Sequence, residues 1–321
     1  MTSLAEPAAA SAPLSTTRAW LLNALATVGL WGVWGAFSSF SAAHGFPDTL
    51  VYCVWALTMI PPALVVLGLA GWKLDTSSRA IGYGAAIGLL GAGGQMILFY
   101  TLTRGPAYLI FPVISLSPIV TIGLSTLLLG ERTGKLGIVG ILLALLALPL
   151  FDFAPSAAGL DAGSGWFVPA LLIMLCWGVQ AYFMKAANHL MSAESIFFYM
   201  MLSGLVLIPV AWGMTDWSKP LNMGWNGPWL AAAIQLLNAI GALTLVFAFR
   251  YGKAIIVAPL TNAGAPLATA ILSLAVLGVV PGPLKTVGIV LALAASLLLA
   301  IEPEAVDATA DAPADTAAEP A

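Results

Sequence analysis

Gln95, Ser115, Ser117, Gln180, Gln235, Asn238, Thr261 and Asn262 are amides and hydroxyls set inside stretches that are otherwise apolar. Such groups donate and accept hydrogen bonds, but they carry no charge at neutral pH. Gln235 and Asn238 are three residues apart, so on a helix they share one face. Trp31, Trp34 and Ser38 form a second stripe at helical spacing, and Trp177 with Gln180 repeats its first two positions. The chemistry this allows is recognition, with ring faces and hydrogen-bonding groups gathered around a small solute. The same amides could instead join helices, at about 0.6 kcal/mol per hydrogen bond in a membrane. Taken as a set, Trp31, Trp34, Gln95, Ser115, Trp177, Gln180, Gln235, Asn238 and Asn262 are expected to line a substrate-binding cavity.

The elements that hold these groups must lie in a bilayer. Of the 321 residues, 60% are hydrophobic and 8% charged, too little polar surface to coat a soluble globule of this length. A bilayer asks for about twenty apolar residues per helix. Ten such spans are read at roughly 19–41, 49–71, 80–103, 106–129, 136–152, 166–188, 195–213, 227–250, 254–277 and 284–301, giving an all-α polytopic membrane protein. Residues 1–17 and 302–321, rich in Ala, Pro, Ser and acids, are expected to be disordered tails. The first span lacks an A-x-A cleavage site and carries Arg18 at its start, so it reads as a helix and not as a removed leader. Counting cations places both termini in the cytoplasm of a bacterial-type inner (plasma) membrane. Arg18, Lys73, Arg79, Arg132, Lys135, Lys185, Arg250 and Lys253 then fall inside, against Arg104, Lys219 and Lys285 outside. Trp20, Trp72, Trp166, Trp212, Trp217, Trp225 and Trp229 near span ends read as an interfacial belt, and Cys53 and Cys176 as packing.

The fourth span contains GPAYLIFPVISLSPIV, with prolines at 112 and 118 in the middle of an uncharged run. A proline removes a backbone donor and clashes with the preceding turn, and in lipid no water repairs the damage. Its counterpart is GKAIIVAPLTNAGAPLAT at 252–269, where the two prolines are seven apart instead of six. The match continues on both sides: LGERTGKLGIVGILLALLAL (129–148) aligns with LGVVPGPLKTVGIVLALAAS (277–296), and LWGVW (30–34) with CWGVQ (176–180). The chain therefore reads as two copies of a five-helix unit. Because five is odd, the second copy enters the membrane inverted. Proline-interrupted spans at matching places in inverted repeats point to a transport site near the midplane. Gly84, Gly88, Gly91 and Ala92 form a small-residue face on the third span, suited to close helix packing.

The stretch PVISLSPIVTIGLSTLLLGERTGKLGIVGILLALL resembles the end of an EamA repeat of the drug/metabolite transporter superfamily, and the likeness covers residues 19–301. The resemblance implies a ten-helix, inverted-repeat transporter with a central cavity lined by spans 1, 3, 4, 6, 8 and 9. On this reading the first EamA-like repeat is 18–153, a linker covers 154–165, and the second repeat is 166–301. Pro112, Pro118, Pro259 and Pro266 are then expected hinges, and Glu131, after Leu-Gly, an expected gating residue. The second repeat departs from the pattern, with Val279 in the place of that glutamate.

No G-x-x-x-x-G-K-[ST] loop, H-E-x-x-H motif or paired histidine at metal spacing is present, which excludes a nucleotide-driven pump and a metalloprotease. No catalytic residue, metal site or cofactor is expected. The partners expected are a small-molecule substrate and the lipid bilayer, not nucleic acid, with a homodimer left open. No cation stands at mid-membrane to clamp a phosphate and no carboxylate to hold an organic cation, which suits a small neutral or zwitterionic metabolite such as an amino acid. An intramembrane enzyme, and a lipid flippase or partner-binding subunit, are the alternatives. The topology is directly testable. After replacement of Cys53 and Cys176, Ala158→Cys is expected to react with an impermeant thiol reagent from outside and Gly134→Cys is not; the reverse pattern would overturn the orientation.

Overall fold

A computed structural model describes residues 14–129, 134–152, 165–187, 190–251, 254–278 and 280–301. The expected tails, the linker and Ala158 lie outside the described residues, save for the tail's last few residues from Leu14 and the linker's last position. The described residues form helices and turns, with no strand among them. In chain order the helices are α1 (Leu14–Phe37), α2 (Phe40–Ala43), α3 (Asp48–Thr58), α4 (Ile60–Leu69), α5 (Ser78–Leu102), α6 (Ala107–Ile114) and α7 (Pro118–Leu129). They continue as α8 (Lys135–Asp152), α9 (Phe167–Ala187), α10 (Ala193–Val206), α11 (Ile208–Gly213), α12 (Leu230–Tyr251), α13 (Ala254–Leu277) and α14 (Pro283–Ile301). An irregular turn, Trp225–Trp229, kinked at the non-helical Gly227 (φ −96°, ψ −109°), leads into α12.

Seven helical stretches among the described residues are long and apolar enough to cross a membrane: Ala19–Ala43, Asp48–Leu69, Ser78–Leu102, Ala107–Leu128, Phe167–Met184, Ala193–Gly213 and Trp225–Leu245. Shorter apolar stretches follow at Lys135–Ala147, Ala263–Leu277 and Pro283–Leu298. The protein is therefore a multi-pass membrane protein. Leucines and valines such as Leu127, Leu146, Val168 and Val290 are more than half exposed on the perimeter, where lipid covers them.

Proline decides where the spans bend. Pro61 and Pro62 open α4 immediately after the break at Met59, and Pro209 opens α11 after Leu207, so the second and seventh expected spans are each two helices. The expected interruption of the fourth span is present: α6 ends at Ile114, a turn covers Ser115–Ser117, and Pro118 opens α7. In that turn Leu116 N–H donates to Val113 O and Ser117 N–H to Ile114 O, the tighter i→i−3 pattern. The ninth span differs from expectation, because α13 runs as one helix through Pro259 and Pro266. Their spacing supplies a reason. At 3.6 residues per turn, a separation of seven puts both missing donors on one face, where a gentle curve accommodates them; a separation of six does not.

The most buried helix is α6, where Ala107 and the run from Leu109 to Leu116 are enclosed by neighbouring helices. Helices pair across the two halves of the chain: α1 packs on α12 and α13, α9 on α5, α6 and α7, α3 on α12, α10 on α5, and α8 on α14. Exchanging the halves maps these pairings onto one another, with α8–α14 mapping onto itself. The small-residue face of α5 serves two neighbours. A Cβ on Gly84 or Gly88 would collide with Tyr199 or Ser203 of α10, and one on Gly91 or Gly94 with Gln180 or Trp177 of α9.

Two loops clamp the halves together. Asp75, between α4 and α5, accepts hydrogen bonds at Oδ2 from the Ser192 backbone N–H (2.8 Å), the Ser192 hydroxyl (3.0 Å) and the Ser195 hydroxyl (3.0 Å), which ties it to the start of α10. Tyr199 adds a bond from its hydroxyl to the Asp75 carbonyl (2.8 Å). Asn222, seven residues before Trp229, ties the other half in the same manner: its backbone N–H donates to Gly45 O (3.1 Å) and its Nδ2 to His44 O (2.8 Å). The Ser192 backbone N–H, then its hydroxyl, hold the Asp75 carboxyl below its ordinary range. A depressed carboxylate contributes stability that is present above the unfolded value and is lost as pH falls through the folded one. Asp75→Asn is expected to lower the thermal midpoint of the detergent-solubilised protein at pH 7. The gap from wild type should shrink below about pH 3.9, the ordinary aspartate value; a gap that does not change with pH would contradict this.

Candidate functional site

The expected site residues on α1 and α12 meet at mid-helix. Trp34 donates from Nε1 to Gln235 Oε1 at 2.8 Å, with both side chains buried. Trp31 donates to the Asn238 carbonyl at 3.1 Å and packs against Gly241, one turn further along α12. Asn238 is buried too, and its Oδ1 accepts from Trp55 of α3 at 3.3 Å. Trp34 also sets its ring edge-on to Phe111 of α6, with centroids 5.6 Å apart. One cluster therefore joins α1, α3, α6 and α12 through uncharged groups.

A second cluster occupies the equivalent place between α9 and α5. Trp177 points its Nε1 at the Gly91 carbonyl (3.4 Å) and packs on Gly94, while Gln180 packs against Gly91. Trp177 thus repeats Trp31, and the Gly91–Gly94 pair repeats Asn238–Gly241. Gln95 of α5 is buried, and its Nε2 has no hydrogen-bond partner among the described residues. Ser115 turns its hydroxyl back onto the Pro112 carbonyl (2.7 Å), covering an acceptor that the interrupted α6–α7 connection frees. Pro266 lies partly buried within α13. The side chains of Asn262 and Pro259, and Glu131 and Val279 altogether, lie outside the described residues.

Sequence reasoning missed three members. Trp55, at depth with Trp31, Trp34 and Trp177 but left out of the expected cavity set, donates to the Asn238 side-chain oxygen. Thr121 of α7 donates to the Gly178 carbonyl of α9 at 2.9 Å, and Thr269 of α13 donates to the Gly32 carbonyl of α1 at 3.2 Å. The signal for the threonines was within reach. Each follows a proline by three residues, in PIVT (118–121) and PLAT (266–269), and each acceptor follows a tryptophan in the matched Trp-Gly dipeptides. At both crossings the glycine is needed for close approach: a Cβ on Gly32 would lie 2.5 Å from Ala268 Cβ, and one on Gly178 2.5 Å from Val120 Cβ.

The arrangement offers neutral hydrogen-bonding groups and ring faces. No group of three or more His, Cys, Asp or Glu side chains gathers among the described residues. A separate apolar groove of about 600 Å³ lies on the perimeter between α3–α4 and α12, lined by Val54, Leu57, Pro61, Trp229 and Leu236. It shares no residue with the polar clusters, and its exposed walls, Leu57 and Leu236, belong to the lipid-facing surface.

The two helical halves pack across each other with uncharged polar groups at matching crossings. The family model of the EamA-like transporters matches residues 18–151 and again 165–301, and the chain belongs to that family, within the drug/metabolite superfamily of membrane transporters. A solved crystal structure, described only as that of a protein, is similar in fold. It has a TM-score of 0.61 and 18% identity, over 88% of this chain and 97% of that one. No curated protein matches the chain in sequence.

Gln235 is the acceptor for a buried indole N–H, so Gln235→Leu should lower stability by about 1–3 kcal/mol, the cost of a stranded donor. Gln235→Leu combined with Trp34→Phe, which removes donor and acceptor together, should lose less than the sum of the two single changes. A coupling energy of zero between Gln235→Leu and Trp34→Phe, read from thermal midpoints in a double-mutant cycle, would show that the Trp34 bond carries no weight.

Proposed function

We propose that the chain carries small neutral or zwitterionic metabolites, amino acids among them, across the membrane by alternating access, as a facilitator or exchanger. The frame of this reading is ten membrane crossings in two inverted five-helix repeats, 18–153 and 166–301, with the linker 154–165 between them and both termini cytoplasmic in a bacterial-type inner membrane. What supports the frame is the pairing of helices across the halves together with the repeated family match. Trp31, Trp34, Gln95, Ser115, Trp177, Gln180, Gln235, Asn238 and Asn262 are the proposed substrate contacts. Pro112, Pro118, Pro259 and Pro266 are the proposed hinges, and Glu131 the proposed gate residue.

The observation that carries the substrate class is the Gln235 amide. An indole N–H can only donate, so the amide oxygen must face Trp34 and the NH₂ must face away. That NH₂ is fully buried and has no partner among the described residues, and the Nε2 of Gln95 is in the same condition. A buried donor without an acceptor costs about 1–3 kcal/mol. A carboxylate or carbonyl oxygen of the solute would satisfy it. None of Trp31, Trp34, Gln235 and Asn238 titrates near neutral pH, which favours facilitation or exchange over proton coupling. The perimeter groove supports a second reading, in which a lipid chain is held laterally.

Reconstituted vesicles are expected to show counterflow of leucine at equal pH on both sides. Isopentylamine, with the same apolar body and no carboxylate, should move at least tenfold more slowly, because it leaves the amide donors unpaired. Accumulation of leucine driven by a pH gradient alone, abolished by Glu131→Gln while counterflow persists, would overturn the facilitator reading. Rapid movement of a fluorescent phospholipid with no leucine counterflow would favour the second.

A further inference from the structure

Resting on the alternating-access reading, we infer that Thr121 and Thr269 are paired latches, each holding shut one face of the membrane. Both hydroxyls cross from one half of the chain to the other: Thr121 of α7 to the Gly178 carbonyl of α9, and Thr269 of α13 to the Gly32 carbonyl of α1. Each stands one turn after a proline that has no N–H to give to the preceding turn. The segment beyond Pro118 therefore leaves α6 without that backbone bond, and the Ile114 carbonyl it would have used accepts from Ser117 instead. The threonine supplies the missing tether sideways, onto a neighbouring helix of the other half.

The glycine on the far side makes this tether possible. Gly178 admits Val120, and Gly32 admits Ala268, so the Thr121 and Thr269 side chains reach backbone oxygens that a larger residue would hold away. Trp177 and Trp31, the residues just before those glycines, are pinned in turn to α5 and α12. A shift at either latch is thereby delivered to the tryptophan beside the proposed substrate.

The two latches differ in this structure. Thr121 is half-buried with a single acceptor at 2.9 Å. Thr269 is buried and shared between Gly32 O at 3.2 Å and Trp31 O at 3.4 Å. In the ten-crossing order, spans 4 and 6 run in the same direction, and spans 9 and 1 run together in the opposite sense. The α7 and α9 segments beyond Thr121 and Gly178 thus end at one face, and the α13 and α1 segments beyond Thr269 and Gly32 at the other. Loosening one latch opens one face only.

The test uses the full chain with Cys53→Ala and Cys176→Ala, reconstituted in lipid, and reads distances between spin labels. One pair is Leu128→Cys with Leu190→Cys and the other Val276→Cys with His44→Cys, all exposed positions related by the repeat. Thr121→Val should lengthen the first pair and leave the second unchanged, and Thr269→Val should do the reverse. Each should raise the open population roughly fivefold, the effect of one net hydrogen bond. Thr121→Ser and Thr269→Ser should restore wild-type distances, and alanine variants should repeat the valine result without the added methyl. Valine variants that lengthen the same pair, change both pairs alike or change neither would overturn the latch assignment, as would a failure of serine to rescue. Because the distances are read without flux, a chain that opens as expected yet moves no solute would defeat the transport reading and leave the latches standing.

Discussion

A carbonyl oxygen inside a bilayer has no water to turn to, so any donor brought to it must come from the protein. The described core is organised by that constraint. Backbone carbonyls at Asn238, Gly91, Gly32, Gly178 and Gly204 each receive a side-chain donor from another helix, from Trp31, Trp177, Thr269, Thr121 and Tyr52 respectively. Four of the five acceptors are glycines, where no Cβ holds the facing helix away from the carbonyl. Sequence thus acts on packing in two steps: glycine sets the separation, and the donor on the facing helix uses it.

Much of the architecture was legible before any coordinates. Apolar runs with few charges announced a multi-pass helical protein, and the internal likeness of the halves led to the family that the comparison with known families then showed. Breaks within spans were harder to read. Pro61-Pro62 and Pro209 sit in runs apolar enough to pass as single helices, and hydropathy is blind to a lost N–H. The continuity of α13 was missed because the seven-residue spacing was read as a mark of the repeat and not as two turns of one helix face. Among the site residues, the indole and amide groups could be placed at depth by counting, but which indole meets which amide depends on helix rotation. Trp34 with Gln235, and Trp55 with Asn238, are pairings that a sequence without tertiary contacts does not specify.

The halves use the same crossings with different materials. Both crossings set an indole on a backbone carbonyl, but α12 adds side-chain amide oxygens for Trp34 and for Trp55 of α3, where α5 presents glycines. The loop clamps differ in kind as well, a carboxylate at Asp75 against a neutral amide at Asn222. Duplicated geometry with diverged chemistry lets the two ends of one scaffold be tuned separately, because neither substitution disturbs the pairing of helices that both halves share.

The neutrality of the central cluster has an electrical consequence. A membrane potential does work only on net charge, about 2.3 kcal/mol per unit charge per 100 mV. Trp31, Trp34, Trp55, Gln235 and Asn238 offer it no charge to pull. Rearranging their hydrogen bonds displaces dipoles over ångströms and carries no elementary charge through the field. Motion of these groups is therefore electrically silent, and a change of membrane potential does no work on them.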